Sequence, residues 1–116
     1  MATGRMRRVN EVVREVLAES IGKDLHDPGI GFVTVTGVDT SPDLRSARVY
    51  VSVLGSPEEQ EETIIVLGES HAILQRAIAT QLRMKRTPTL TFTLDHGPEE
   101  AARLTAMIDE ETGEEE

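Results

Sequence analysis

Three histidines, His26, His71 and His96, are the side chains of this sequence whose ordinary titration falls nearest neutrality, and there is no cysteine. The missing thiols exclude thiolate nucleophiles, disulfide frameworks and Cys-type zinc sites, in keeping with a reducing compartment. His26-Asp27 has the makings of an acid/base pair, but Asp27 precedes Pro28 where a helix pattern stops, and turn-making accounts for it. His71 reads as a cap or lining of an interhelical turn, and His96 as the end of a strand. No two of the three stand four apart on one helix, as a metal pair requires, and neither GxxxxGK[ST] nor GxGxxG occurs. The residues predict no catalysis, no cofactor and no metal.

The other chemistry is charge. The chain is acidic, with 21 Asp plus Glu against 12 Lys plus Arg, which on average argues against nucleic acid. The charge is segregated, however. Residues 57–69 carry five acids, and residues 95–116 carry nine with Arg103 as their only base, whereas residues 70–94 hold Arg76, Arg83, Lys85 and Arg86 and no acid. Salt screens over about 8 Å, so a distant acidic lobe does not cancel a basic corner. Arginine and lysine so clustered suit phosphate contacts, which give position and salt-dependent affinity. Positions 76, 83 and 86 are spaced for one helix face. The bland alternative is a solvated face paired with the acids of the second helix.

Arg5, Arg7 and Arg8 form a second cluster at the start of the first helix, where positive charge opposes the macrodipole; a frayed, solvated terminus is the rival explanation. Arg45 and Arg48, in and after a hairpin turn, are weaker candidates. Six phosphate contacts lower log affinity against log salt with a slope of about 4 to 5. The only aromatics are Phe32, Tyr50 and Phe92. With two of them in the core, no base-stacking platform is expected.

These residues need elements to hold them. At 116 residues the chain is one domain able to bury its own core: a folded unit over 1–108 and an acidic, disordered tail over 109–116. Val9, Val12, Val13, Val16, Leu17, Ile21 and Leu25 recur at helical steps, so a first helix runs from Met6 to about Leu25, and Asp27-Pro28-Gly29 stops it. FVTVTGV (32–38) and ARVYVSVL (47–54) read as a hairpin. Ser56-Pro57-Glu58-Glu59 is a capping box with Pro at the first helical position, opening a helix to about Leu67. Gly68-Glu69-Ser70 interrupts it. A third helix resumes at His71 and ends at Thr87-Pro88, and TLTFTL (89–94) is a third strand that can run parallel to a neighbour. Residues 98–108 have the spacing for a short terminal helix through Ala101, Leu104 and Met107; Glu114 to Glu116 beyond it read as a solubilising tail or, alternatively, as an electrostatic decoy for RNA release. The fold class is α+β, order α-β-β-α-α-β on a small mixed three-stranded sheet, the type II K-homology arrangement. No apolar run reaches the roughly 20 residues of a membrane span, and the basic start lacks an apolar signal core, so a soluble, cytoplasmic protein is expected.

Several blocks in order now resemble the ribosome-binding factor A family: RVNEVVREVL in the first helix, Asp27-Pro28-Gly29, VTVTGV (33–38), Ser41 with Asp43-Leu44, AxVYVSV (47–53), and LRMKRTPTLTF (82–92) closing on Asp95. The resemblance covers about residues 5–108. It implies a type II K-homology-like RNA-binding fold without a GxxG loop, binding to free 30S subunits and 16S rRNA, a role in late rRNA processing and growth in the cold, a partner GTPase that aids release, and no catalysis. It strengthens the reading of phosphate contact by the basic corner; a monomer is expected. The family's Ala-x-Gly kink between its last two helices aligns with Ser70-His71-Ala72, where the glycine is missing and Gly68 is the nearest substitute. The rival class is a protein-protein interaction module that uses the sheet face or the acidic second helix and makes no direct RNA contact.

Overall fold

The computed structural model describes residues 4–83 and 86–97. Its elements are α1 (Gly4–Asp24), β1 (Phe32–Thr40), β2 (Ser46–Leu54), α2 (Pro57–Glu69), α3 (His71–Leu82) and β3 (Thr89–Leu94), the order and class expected. In α1, Val13, Leu17 and Ile21 are buried at helical spacing, with Val9 and Val16 packed beside them. The Asp27 carboxylate then accepts from the Gly29 N–H (2.7 Å), and the Ile30 N–H bonds the Asp27 carbonyl. Asp27 is thus occupied in a turn that aims the chain into β1.

The sheet order is β1-β2-β3, with β1 antiparallel and β3 parallel to β2. A mixed sheet results because α2 and α3 carry the chain back to the end where β2 begins. Ala47, Val49, Val51 and Val53 of β2 all face the helices. Opposite them, Val33 and Val35 of β1 hold one phase, and an extra residue, Thr36, shifts the register so that Val38 and Thr40 face Val49 and Ala47. A period of two cannot otherwise put both Val35 and Val38 on the core side.

α2 starts with the predicted capping box: Glu59 N–H donates to Ser56 Oγ, and Ser56 N–H to the Glu59 carboxylate, both at 3.2 Å. It buries Val66 and Leu67, and α3 buries Leu74 and Ile78, closing one core with α1 and the sheet. Thr63 Oγ1, nearly fully buried, accepts from the Gly31 N–H (3.3 Å) and lies 3.2 Å from the Gly29 carbonyl, tying the α1–β1 turn to α2.

Three expectations are corrected. Gly68 does not interrupt α2, which continues to Glu69; the helices meet at Ser70, with φ −92° and ψ 11°, a conformation open to any residue, so the turn needs no glycine. His71 Nδ1–H closes that turn on the Gly68 carbonyl, 2.9 Å away, and Ala72 is exposed in the first turn of α3. Secondly, α3 stops at Leu82, short of Thr87-Pro88, because Arg83 turns left-handed at φ 51°. Thirdly, only one aromatic packs on the core: Phe92 does, Tyr50 is half-buried outside it, and Phe32 is 81% exposed. Phe32 lies one step out of phase with Val33 and Val35 and faces away from the helices, paired across the hairpin with Leu54, itself 73% exposed. The terminal helix over 98–108, the acidic tail and Lys85 lie outside the described residues.

Candidate nucleic-acid interface

The topology collects the arginines at one end of the sheet. Asn10 Oδ1 accepts from the Thr40 N–H (3.0 Å), fixing the start of α1, with Arg5, Arg7 and Arg8, beside the end of β1. The hairpin turn that follows carries Arg45. Its shape is set by Ser41 Oγ donating to Asp43 Oδ1 (2.6 Å), the Arg45 N–H donating to the same oxygen (3.0 Å), and Leu44 in the left-handed region. The Thr89 N–H bonds the Arg45 carbonyl (2.9 Å), bringing the start of β3, and the loop holding Arg83 and Arg86 before it, to the same turn. Arg5, Arg7, Arg8, Arg45, Arg83 and Arg86 are all exposed at this basic pole.

Two predicted residues stand apart. Arg76 lies midway along α3 and lines a cleft against α1 that Glu19, Lys23 and Asp24 also line. Arg48 lies on the open sheet face beside Asp39 of β1. The common helix face for Arg76, Arg83 and Arg86 is not formed, because the helix ends before Arg83; the left-handed turn and the pairing of β3 with β2 bring Arg86 to Arg45 instead.

Acids occupy the other pole. There α1 ends at Asp24 before Asp27, β3 ends before Asp95, and α2 begins with Glu58, Glu59, Glu61 and Glu62. Glu58 and Glu59 in a first turn also favour the helix dipole. The nine residues of β2 separate the poles by roughly 30 Å at about 3.3 Å per residue, several screening lengths at physiological salt. Among the described residues, no arginine of the basic corner pairs with α2. Arg5, Arg7, Arg8, Arg83 and Arg86 make no ion pair with any described residue, and Arg45 reaches Asp43 only at 4.0 Å with both side chains exposed. Asp43 is held below the usual carboxylate range, first by the Ser41 hydroxyl and then by the Arg45 N–H, so it stays charged and offsets part of the pole. Arg14, also paired among the described residues, is engaged by Glu11 one turn away.

Among the described residues no cluster of His, Asp and Glu is arranged to hold a metal, and no helix is long and apolar enough to cross a membrane. Sequence reasoning missed the gathering of three separate arginine clusters at one end, since that depends on β3 running parallel to β2. The parity of Phe32 against Val33 and Val35 was the available signal for its exposure.

Comparison with known proteins agrees with this fold. The sequence pattern of the ribosome-binding factor A family matches residues 5–108. A ribosome-binding factor A from Halorhodospira halophila is 44% identical over 107 residues, covering 91% of this chain and 85% of its own. The solution structure of a Thermotoga maritima protein described as a putative ribosome binding factor A superposes with a TM-score of 0.74 at 34% identity, covering 84% of this chain and 92% of that one. A Thermus thermophilus ribosome binding factor A model, fitted into a cryo-electron-microscopy map of a 30S–RbfA complex, matches at 30% identity and a TM-score of 0.62, covering 74% and 90%. A family match over residues 5–108, on the same architecture, makes this chain a member of the ribosome-binding factor A family.

Proposed function

We propose that the protein is a non-catalytic ribosome assembly factor that binds free 30S subunits, sets its basic pole against the phosphates of 16S rRNA, and supports late maturation and processing of that rRNA, including in the cold. The observation that carries this reading is the meeting of Arg5, Arg7, Arg8, Arg45, Arg83 and Arg86 at one end of an otherwise acidic molecule, five of them unpaired among the described residues. Arginine presents a rigid fork of donors to phosphate, and exposed arginines without partners have no internal ion pair to give up on binding. The relative seated in a 30S complex supports the choice of subunit.

Recognition rests on backbone shape and charge. Phe32 lies at the opposite pole and Phe92 packs on the core, so stacking on bases has little to work with. Bound this way, as a cytoplasmic monomer, the protein biases rRNA between two conformations by its differential affinity for them, and a GTPase completes the cycle by aiding release. Co-sedimentation of the purified protein with free small subunits and with intact ribosomes tests the reading. Salt-sensitive binding to free subunits, lost when Arg83, Lys85 and Arg86 are replaced by alanine in a folded variant, is expected. Retention by that variant at full strength overturns the site, and absence of binding to either particle points to a protein-interaction module.

A further inference from the structure

Two large apolar side chains stand in water at the acidic pole. Phe32 opens β1 and is 81% exposed, Leu54 closes β2 and is 73% exposed, and the two are paired across the hairpin on the sheet face turned away from the helices. Thr34 and Ser52, the next such pair on that face, are polar, so the patch is confined to this end. β1 is an edge strand, where exposed apolar residues invite unwanted association and natural sheets avoid them. A phenylalanine and a leucine left together in water at such a place mark a contact surface.

Carboxylates frame the pair. A Cβ placed on Gly29, in the turn leading to Phe32, would meet Glu62 Oε1 at 3.0 Å and Asp27 Oδ1 at 3.1 Å, and one on Gly55, next to Leu54, would meet the Glu59 carboxylate at 3.2 Å. Glu58 is exposed beside Glu59 in the first turn of α2. Asp27, Glu58, Glu59 and Glu62 make no ion pair with any described residue. Residues 24–44 and 49–75, which hold Phe32 and Leu54, contain no lysine or arginine, and Lys23, in the last turn of α1, lines the cleft toward α3. Such a surface repels phosphates and attracts basic side chains. A symmetric second copy would set the same acids against each other. The larger of the two side chains buries at most about 250 Å², so the pair falls far short of the roughly 800 Å² per partner of a stable complex between domains. Its size suits an anchor for a short segment.

We propose that the Phe32–Leu54 end of the sheet docks a basic protein segment, one apolar side chain of which packs on Phe32 and Leu54 while its lysines or arginines meet Asp27, Glu58, Glu59 and Glu62. The apolar anchor supplies most of the affinity, and the charges supply the encounter rate and the selection against acidic partners. The arginine pole stays free, so the segment is held whether or not RNA is bound. The proposal is independent of the rRNA reading, because every group involved lies at the other end of the molecule.

The test uses the full chain, enriched in nitrogen-15, and a short synthetic peptide of leucine and lysine as the probe. Saturable shifts of the Gly31, Phe32, Leu54, Gly55 and Glu62 amides, with Arg5, Arg7, Arg8, Arg83 and Arg86 unmoved, are expected. The same peptide with serine for leucine, or with glutamate for lysine, is expected to bind at least about tenfold more weakly, as is the parent peptide to Phe32→Ser. Phe32 packs on no core residue, so that variant keeps the parent spectrum elsewhere; Leu54→Ser gives an independent second reading. Shifts that miss Phe32 and Leu54, equal binding of the serine peptide, or full affinity in both variants overturn the proposal. An oligouridylate that shifts Phe32 and Leu54 would make this an RNA surface, and dimers in sedimentation equilibrium that Phe32→Ser dissolves would make the occupant a second copy; either result also overturns it.

Discussion

At the scale of single residues, Arg83 carries the most information. It ends α3 with φ 51° and ψ 42°, where a side chain with a Cβ is disfavoured by roughly 1–2 kcal/mol and glycine is the usual occupant. The helix dipole favours a cation at this end, but a cation on the preceding turn would gain that without the left-handed backbone. An exposed, unpaired charge in a strained conformation is better explained by what it contacts outside the chain. Arg83→Gly is therefore predicted to raise unfolding stability by up to about 1 kcal/mol in a denaturant titration while weakening small-subunit binding in the same preparation. A variant that is less stable, or that binds as tightly as the parent, contradicts this account of the residue. Nothing in the sequence marked Arg83 as strained, because its helical pattern continues through Lys85. The end of the helix is dictated by β3 having to begin beside Arg45.

Among the elements, the legible parts were those with local causes. The Ser56–Glu59 capping box, the valine phase of β2 and the stripe of α1 each follow from the period of one segment, and the structure forms all three. What was hidden depends on contacts between elements. The bulge at Thr36 is one such case: by adding a residue to β1 it re-phases Val38 and sends the Thr36 hydroxyl across β2 to Asp95. That hydroxyl first, and the Gly97 N–H second, hold the Asp95 carboxyl below its ordinary value of 3.8. The folded state therefore prefers the ionised carboxylate. This contribution to stability is present above the ordinary carboxylate value and is lost as the pH falls below it through the depressed folded one. Thr36→Val is predicted to raise the Asp95 titration midpoint toward the ordinary value, read from its carboxyl carbon-13 shift. An unmoved midpoint would show that the hydroxyl is not the main cause.

For the whole molecule, the net charge of −9 conceals two ends of opposite sign. The sequence disclosed the segregation along the chain but not its arrangement in space. Arg76, an obvious member of the basic segment, stays apart in the cleft between α3 and α1, while Arg5, Arg7, Arg8 and Arg45, remote in sequence, join Arg83 and Arg86. A molecule so divided meets a polyanion with a preferred orientation, its acidic pole turned away, which raises productive encounter as well as affinity. The measurement that tests this most directly is the salt dependence of the equilibrium constant for binding free 30S subunits, for the parent and for a variant with Arg83 and Arg86 replaced by alanine. With six phosphates contacted, log affinity is predicted to fall against log salt with a slope of about 4 to 5, and the variant's slope to be smaller by about 1.5. A parent slope near zero, or one the two substitutions leave unchanged, contradicts a phosphate-binding pole.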